Sequence, residues 1–274
     1  MQRRPAWSGP FAAGLVPTIP ALSALDDITA EWAWGDGTGA GVKVAVIDSG
    51  IDDTHPAIGA PVSGYVTIQR QQQTLTFDES PHGDAYGHGT ACAGIIRAIA
   101  PECELYSVKV LGTALTGEGA VFAAGLRWSI EHGMQVCNLS LGTTKRDFYA
   151  VLHELADAAY FRNVMLVTAA NNLPTPSFPS VYASVISVAA LDMPDAFTYY
   201  ANTQPPAEFC ARGIDVRVPW LNGDSITATG NSFAAPHIAG LAARILSKHP
   251  TLTPFQLKAV LYALAANVHP GEDC

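Results

Sequence analysis

The sequence predicts an α/β protein in which a doubly wound parallel β-sheet is covered by helices on both faces, giving three layers. Short apolar runs rich in β-branched residues, typical of buried strands, alternate with longer helical stretches. Such alternation favours a parallel sheet with a helix crossing between successive strands. The length of 274 residues and a hydrophobic content of 49% are enough to bury a substantial core.

The predicted strands are short apolar runs of a length typical of buried strands. The first, "VKVAVI", ends beside Asp48 and the tight turn "SG". In chain order, the predicted strands cover residues 42–47, 104–110, 135–140, 164–169 and 184–191.

The predicted helices lie between and after these strands. Gly133 ends the second helix, because glycine favours the position that follows a helix. Thr253 is the expected N-cap of the last helix, with Pro254 at its first position. In chain order, the predicted helices cover residues 88–99, 117–132, 146–162, 232–248 and 254–266.

The N-terminal region, residues 1–20, is predicted to be an extension, and residues 21–274 a single domain. The extension imitates a secretory signal, with two arginines and apolar residues, but prolines interrupt the stretch that should form an apolar helix. These prolines are Pro5, Pro10, Pro17 and Pro20. No uncharged apolar run reaches the roughly 18 residues of a membrane helix.

The net charge and the cysteine content limit the classes of partner and the cellular compartment that we expect. The formal net charge of -9 argues against nucleic acid or an anionic membrane as a partner, since both attract basic surfaces. The five cysteines are odd in number, form no CxxC pair and in two cases lie within apolar runs. We interpret them as mostly buried free thiols, which favours a cytoplasmic over a secreted location.

The stretch "GNSFAAPHIAG" places Ser232 and His237 five positions apart at the start of a predicted helix. Five helical residues rotate a side chain by a net angle of about 140°. The two side chains should therefore point to different faces, which gives His237 a structural role. Ser232 is either an N-cap or a nucleophile whose base lies elsewhere in the chain.

Two other residues are candidate partners for Ser232. His88 opens a predicted helix between Gly87 and Gly89, and Asp48 ends the first predicted strand. Ligands of parallel sheets bind beyond the carboxyl ends of the strands. A carboxylate at that edge could accept a hydrogen bond from an imidazole and fix its tautomer.

The chain order Asp48, His88, Ser232 is that of subtilisin among the known triad enzymes. The stretches "VAVIDSGIDDTHP", "HGTACAG" and "GNSFAAPHIAG" resemble the three signature blocks of the subtilisin-like serine proteases, the S8 family or subtilases. "YSVKVLG", "CNLSLG", "FPSVYASVISVAA" and "ILSKHP" also resemble this family in its order, so the resemblance covers about residues 20–266.

The resemblance implies a subtilisin-like fold and a serine endopeptidase that works through an acyl-enzyme. Ser232 would attack the peptide carbonyl, and His88 would accept its proton and later protonate the leaving amine. Asp48 would orient His88. The side-chain amide of Asn172, in the block "AANN", would join the backbone N–H of Ser232 in an oxyanion hole.

The resemblance also implies that a peptide or protein substrate binds as an extended strand beside Ser140, Leu141 and Gly142. Gly142 would leave room for the side chain that precedes the cut. Ser177 would lie at the floor of that pocket, in a loop shorter than the family usually has.

The sequence departs from the family pattern at several positions. Cys92 replaces a valine one helical turn after His88, and Asn231 replaces the usual threonine before Ser232. The loop that carries a tight calcium ion in many secreted members is missing after the helix at 88–99, and Ala57 replaces a common carboxylate. We therefore expect no cofactor and no high-affinity calcium at this position.

The resemblance further suggests a compact intracellular or processing protease. Only 47 residues precede Asp48 in this sequence, so we expect a chain that either folds without the pro-region of secreted members or was cut from a longer protein. Two alternatives remain open at this point: a catalytically silent peptide-binding domain of the same fold, and a metal-dependent hydrolase with His82, Asp84 and His88 as ligands. A dinucleotide site is disfavoured, because the glycines of "GDGTGAG" precede the first strand instead of following it.

Overall fold

A computed structural model describes residues 28–268, so the predicted extension at residues 1–20 lies outside the described residues. The strands of the described chain are β1 Lys43–Asp48, β2 Gly64–Gln71, β3 Thr74–Asp78, β4 Glu104–Lys109, β5 Val136–Leu139, β6 Met165–Ala169, β7 Ile186–Leu191, β8 Tyr199–Ala201, β9 Phe209–Arg212, β10 Val216–Pro219 and β11 Ser225–Ala228. Its α-helices are α1 Ala30–Ala33, α2 His88–Ile99, α3 Gly119–Glu131, α4 Tyr149–Phe161, α5 Asn231–Lys248 and α6 Pro254–Ala263.

Nine of the strands form one sheet in the order β3-β2-β4-β1-β5-β6-β7-β9-β8. Every neighbouring pair from β2 to β9 in this order is parallel. The edge strands β3 and β8 are antiparallel to their neighbours, and β10 and β11 form a separate hairpin. The predicted doubly wound parallel sheet is thus confirmed, with antiparallel strands added at both edges.

Two hydrophobic cores lie on opposite faces of this sheet, which makes the predicted three layers. In β1, Val44 and Val46 point into one core, while Ala45 and Ile47 point into the other. Helices α2, α5 and α6 cover the first face, and α3 and α4 cover the second. The central strands are therefore buried on both faces, and this is why they read as continuous apolar runs in the sequence.

The predicted central strands and helices are all present, and their ends differ from the prediction by at most three residues. The last helix begins after an N-cap at Thr253, whose hydroxyl forms a capping box with Gln256, but it ends at Ala263. The β2–β3 hairpin is not predicted from the sequence, because most of its residues are polar or exposed. The short strands β8 to β11 are likewise not predicted.

The topology brings several chain segments together at the carboxyl ends of the central parallel strands. Parallel strands β1, β5 and β6 all end there, and helices α2 and α5 both begin there. Helices α2 and α5 pack closely where Gly240 meets Ile99: a Cβ added to Gly240 would lie 2.8 Å from the Ile99 Cβ. Across residues 28–268, no helix combines the length and the apolar character that a bilayer span requires.

We predict that Gly240→Ala destabilises the protein although alanine normally favours a helix over glycine by about 1 kcal/mol. The added methyl group would force α2 and α5 apart, and overpacking of this kind costs about 1–3 kcal/mol. Urea unfolding measures the change in the free energy of unfolding. Gly83→Ala is the matched control, because its Cβ would meet no atom within 4 Å. Equal stability of both variants would contradict this close packing.

Candidate active site

The first part of the site is a buried carboxylate–imidazole pair. Asp48 is the last residue of β1 and is fully buried, and His88 is the first residue of α2. The His88 Nδ1 lies 2.9 Å from both carboxylate oxygens of Asp48. Nδ1–H therefore donates to the carboxylate, which leaves the Nε2 lone pair of the neutral ring free to accept a proton.

The surroundings of His88 favour its protonated form. Burial is the largest single influence and acts to lower the pKa of His88, but the Asp48 carboxylate, together with the neighbouring Cys92, holds this pKa well above the ordinary value of 6.5. Cys92 lies one turn further along α2, with its Sγ 4.0 Å from the His88 Nδ1. Burial raises the pKa of the Cys92 thiol, so Asp48 is the anion that stabilises the imidazolium.

Asp84 holds the start of α2 in place beside β1. Its Oδ1 accepts hydrogen bonds from the Ser49 hydroxyl at 2.7 Å and from the Gly87 N–H at 2.8 Å. Its Oδ2 accepts from the Thr90 N–H at 2.8 Å. A carboxylate at this end of a helix satisfies free N–H groups and complements the helix dipole. This role of Asp84 is not among the predictions from the sequence, although an acidic residue just before a helix is a signal for it.

Ser232 lies in the first turn of α5, after Asn231, and its main chain is tied to the end of β5. The Ser232 carbonyl accepts a hydrogen bond from the Ser140 hydroxyl at 2.8 Å, and Ser140 Oγ accepts one from Asn138 Nδ2 at 3.0 Å. The Ser232 hydroxyl itself donates to the Ser140 carbonyl at 3.3 Å. Among the described residues, no hydrogen bond joins this hydroxyl to His88.

His88 and Ser232 line the same cleft. One cavity of about 350 Å³ contains both, with Leu111, Leu115 and Phe122 along its apolar side. A second cavity of about 410 Å³ adjoins it and shares Ser140, Leu141, Gly142 and Ser232 with it. The predicted site residues that line this second cavity are Ser140, Leu141, Gly142, Asn172, Ser177 and Ser232.

The Asn172 amide is oriented by the start of α5. Its Oδ1 accepts a hydrogen bond from the Asn231 N–H at 2.9 Å. This leaves Nδ2 as the end of the amide that can donate to a ligand in the cavity. The neighbouring Asn171 is not among the described residues with positive φ. Its Oδ1 accepts from the Leu173 N–H at 3.1 Å.

Gly142 and Ser177 form one wall of the second cavity. A Cβ added to Gly142 would lie 3.1 Å from the Phe178 carbonyl oxygen and 3.4 Å from Ser177 Oγ. Ser177 is buried, and its hydroxyl is 3.0 Å from that of Ser180. Any larger side chain at position 142 would crowd the Phe178 carbonyl oxygen and the Ser177 hydroxyl.

His237 lies away from the cleft, in the buried face of α5. Its Nδ1–H donates to the Phe233 carbonyl at 2.8 Å, one helical turn earlier. Burial lowers the pKa of His237 to about 4, so the ring is neutral. The structure thus agrees with the structural role inferred from helical geometry.

The structure contradicts the alternative of a metal site made by His82, Asp84 and His88. The His82 ring nitrogens lie 3.0 Å from the Thr67 hydroxyl and 2.9 Å from the Ser107 hydroxyl. Both Asp84 oxygens are engaged by the start of α2, as described above. Within residues 28–268, the one cluster of three candidate ligands is Asp48, His88 and Cys92. That cluster contains the carboxylate–imidazole pair and neither His82 nor Asp84. The postulated ligand set is therefore wrong.

Comparison with known proteins identifies the family. Residues 39–273 match the subtilase family. The chain is 34% identical over 251 residues to the minor extracellular protease Epr of Bacillus subtilis (strain 168), covering 85% of this chain and 36% of that protein. It is 32% identical over 245 residues to subtilisin DY of Bacillus licheniformis, covering 84% of this chain and 85% of that protein.

Solved structures show the same similarity. The S41 psychrophilic protease has a TM-score of 0.71 at 26% identity, with 82% of this chain and 83% of that chain covered. Sphericase has a TM-score of 0.70 at 25% identity, with 85% and 87% covered. The chain therefore belongs to the subtilase family of serine endopeptidases.

Proposed function

We propose that this endopeptidase works through the triad Asp48, His88 and Ser232. The observation that carries the proposal is the buried Asp48–His88 pair, which lines one cleft together with the serine at the start of α5. His88 Nε2 accepts the proton of Ser232 as Oγ attacks the peptide carbonyl. The same ring then protonates the leaving amine, and the acyl-enzyme is hydrolysed by the reverse sequence with water.

The developing oxyanion lies between Asn172 Nδ2 and the Ser232 N–H in this proposal. The first donor is left free because the Asn172 Oδ1 is already bound to the main chain of α5. The second belongs to the first turn of a helix, where N–H groups have no intrahelical acceptor. Preorganised donors of this kind stabilise the transition state more than the substrate.

The substrate is a peptide or protein that binds as an extended strand along residues 140–142. Support for this mode comes from the position of these residues, which border both cavities. The side chain preceding the cut enters the second cavity, which Gly142 and Ser177 line together. We propose no nucleic acid or membrane as a partner, in keeping with the net charge of -9. A peptide-library digest that yields no defined sites would contradict this binding mode.

We propose that no high-affinity calcium binds at the connection from α2 to β4. This connection consists of residues 100–103, and an internal cation already bonds two of its carbonyl oxygens. The buried Arg97 guanidinium donates to the Pro101 carbonyl at 2.9 Å and to the Cys103 carbonyl at 2.7 Å. These oxygens are therefore engaged and do not fit a role as calcium ligands.

We propose that the protein has an intracellular processing role. The described cysteines are all free: Cys92, Cys103 and Cys137 are buried, and Cys210 is half-buried. Free buried thiols are typical of reducing compartments. Recovery of the native protein from the culture medium, with none in the cell lysate, would contradict this location.

We predict that Ser232→Ala and His88→Ala each lower kcat by about 10⁴- to 10⁶-fold without loss of folding. A digest of a peptide library, read by mass spectrometry, measures activity and also gives the residue preference around the cut. The Ser232 hydroxyl bonds to the Ser140 carbonyl and not to His88, as it would in a rival to the protease function, a catalytically silent peptide-binding domain. Equal and negligible cleavage by wild type and Ser232→Ala would support that rival.

We predict that kcat/KM rises with pH along an acid limb whose midpoint lies above 6.5. His88 must be neutral to act as the base, and its pKa is raised, so activity is lost as the pH falls through that value. Asp48→Asn removes the carboxylate charge and should move the limb to lower pH, with a plateau reduced by about 10⁴-fold. Rates measured on one peptide substrate across the pH range test this. A wild-type midpoint at or below 6.5 would count against it.

We predict that a metal chelator leaves the melting temperature unchanged, whereas Arg97→Met lowers it strongly. The substitution removes a buried cation from two carbonyl oxygens, and breaking such contacts costs about 2–5 kcal/mol. Thermal unfolding with and without the chelator measures both effects. A large chelator effect on the wild type would refute the calcium proposal.

A further inference from the structure

Asn231 precedes the nucleophile and departs from the family pattern, in which this residue is threonine. It is the first residue of α5 and is partly buried beside the segment 170–172, which follows β6. The triad makes no use of its side chain. What that side chain contacts is therefore informative about what the substitution changes.

The Asn231 amide bonds two successive carbonyl groups of segment 170–172. Its Nδ2 donates to the Ala170 carbonyl at 3.1 Å and to the Asn171 carbonyl at 3.0 Å. An amide nitrogen has two hydrogens, so both donors are used. A hydroxyl at this position has one hydrogen and could donate to only one of these carbonyls.

The same side chain is fixed to the sheet at its other end. The Asn231 Oδ1 accepts a hydrogen bond from the Ala190 N–H of β7 at 2.7 Å. Its own backbone N–H donates to the Asn172 Oδ1 at 2.9 Å. One residue thus connects α5, β7 and the segment that carries Asn172.

The two oxyanion donors come from different segments, Asn172 from the chain after β6 and the Ser232 N–H from α5. Their separation depends on how these segments are joined, and misplacement by about 1 Å can cost 10²-fold in rate. We propose that Asn231 is a positioning residue that holds the Asn172 amide at the correct distance from the Ser232 N–H. This inference rests on the proposed function, because it names the residue that keeps the two donors of the proposed oxyanion hole in position.

The test compares three substitutions at this position. Asn231→Ala removes all side-chain bonds, Asn231→Thr restores the family residue, and Asn231→Asp keeps the shape but places a carboxylate against the two carbonyl oxygens. We expect kcat to fall by about 10- to 100-fold for alanine, at least as much for aspartate, and less for threonine. KM should change little, because the donors act on the transition state.

A double-mutant cycle distinguishes positioning from general support of the fold. Asn172→Ala alone should lower kcat by about 10²–10³-fold. Asn231→Ala should then add little, because the amide that it positions is gone. Two independent losses that multiply in the double variant would overturn the proposal.

Inhibitor affinity gives a second measurement that loss of folding alone would not mimic. The Ser232 oxygen forms a bond to the trigonal boron of a peptide boronic acid, and the serine proton passes to His88. The resulting tetrahedral boronate lies in the oxyanion hole. Asn231→Ala should weaken this inhibitor by about the factor lost in kcat. The matching cleavage-product peptide, which makes no such adduct, should bind as before. Equal weakening of both ligands would overturn the proposal.

Thr229→Ala is the matched control, two residues before Asn231. The Thr229 hydroxyl contacts Asp215, not segment 170–172, so kcat should be unchanged. If wild type shows no hydrolysis dependent on Ser232, the proposed function fails, and the positioning role with it. If that hydrolysis is present but Asn231→Ala, Asn231→Thr and Asn231→Asp all retain the wild-type kcat, the positioning role alone is wrong.

Discussion

Asp48 is a fully buried carboxylate, and burying such a charge is costly unless it is paired and hydrogen-bonded. His88 provides the pairing through its Nδ1, and the Ser49 N–H donates to the Asp48 Oδ1 at 2.8 Å. Glycines allow this close approach: Gly50 has a φ of 110°, and a Cβ on Gly89 would collide with the Gly50 carbonyl. The local packing of β1 against α2 is thus arranged around this one ion pair.

The position of Ser232, the proposed nucleophile, also depends on how the helices pack. Helix α5 lies against α2 on one face of the sheet, so that His88 and Ser232 line a common cleft. Hydrogen bonds from Ser140, and through Asn231, then join the start of α5 to the ends of β5, β6 and β7. The catalytic groups therefore come from four chain segments, and each is supported by rigid elements on which precise geometry depends.

Much of the architecture could be predicted from the sequence, for a physical reason. The central strands are buried on both faces, which leaves a clear apolar signal, and the helices begin and end at recognisable residues such as Thr253 and Gly133. The β2–β3 hairpin left no such signal, because its exposed polar residues resemble a loop. For the site, the positions of Asp48, His88 and Ser232 followed from chain order and resemblance, and the structure brings the first two into direct contact.

The sequence by itself determined the fold class, the family and the identity of the candidate triad, since these depend on residue types and their order. The tertiary structure alone decided how Asn231 connects segment 170–172 to β7, how Arg97 bonds the carbonyl oxygens of Pro101 and Cys103, and where the Ser232 hydroxyl points. The reason is that periodicity and capping describe neighbours along one element. Most of these contacts join groups far apart in the chain, and all of them depend on atomic distances that residue order does not specify.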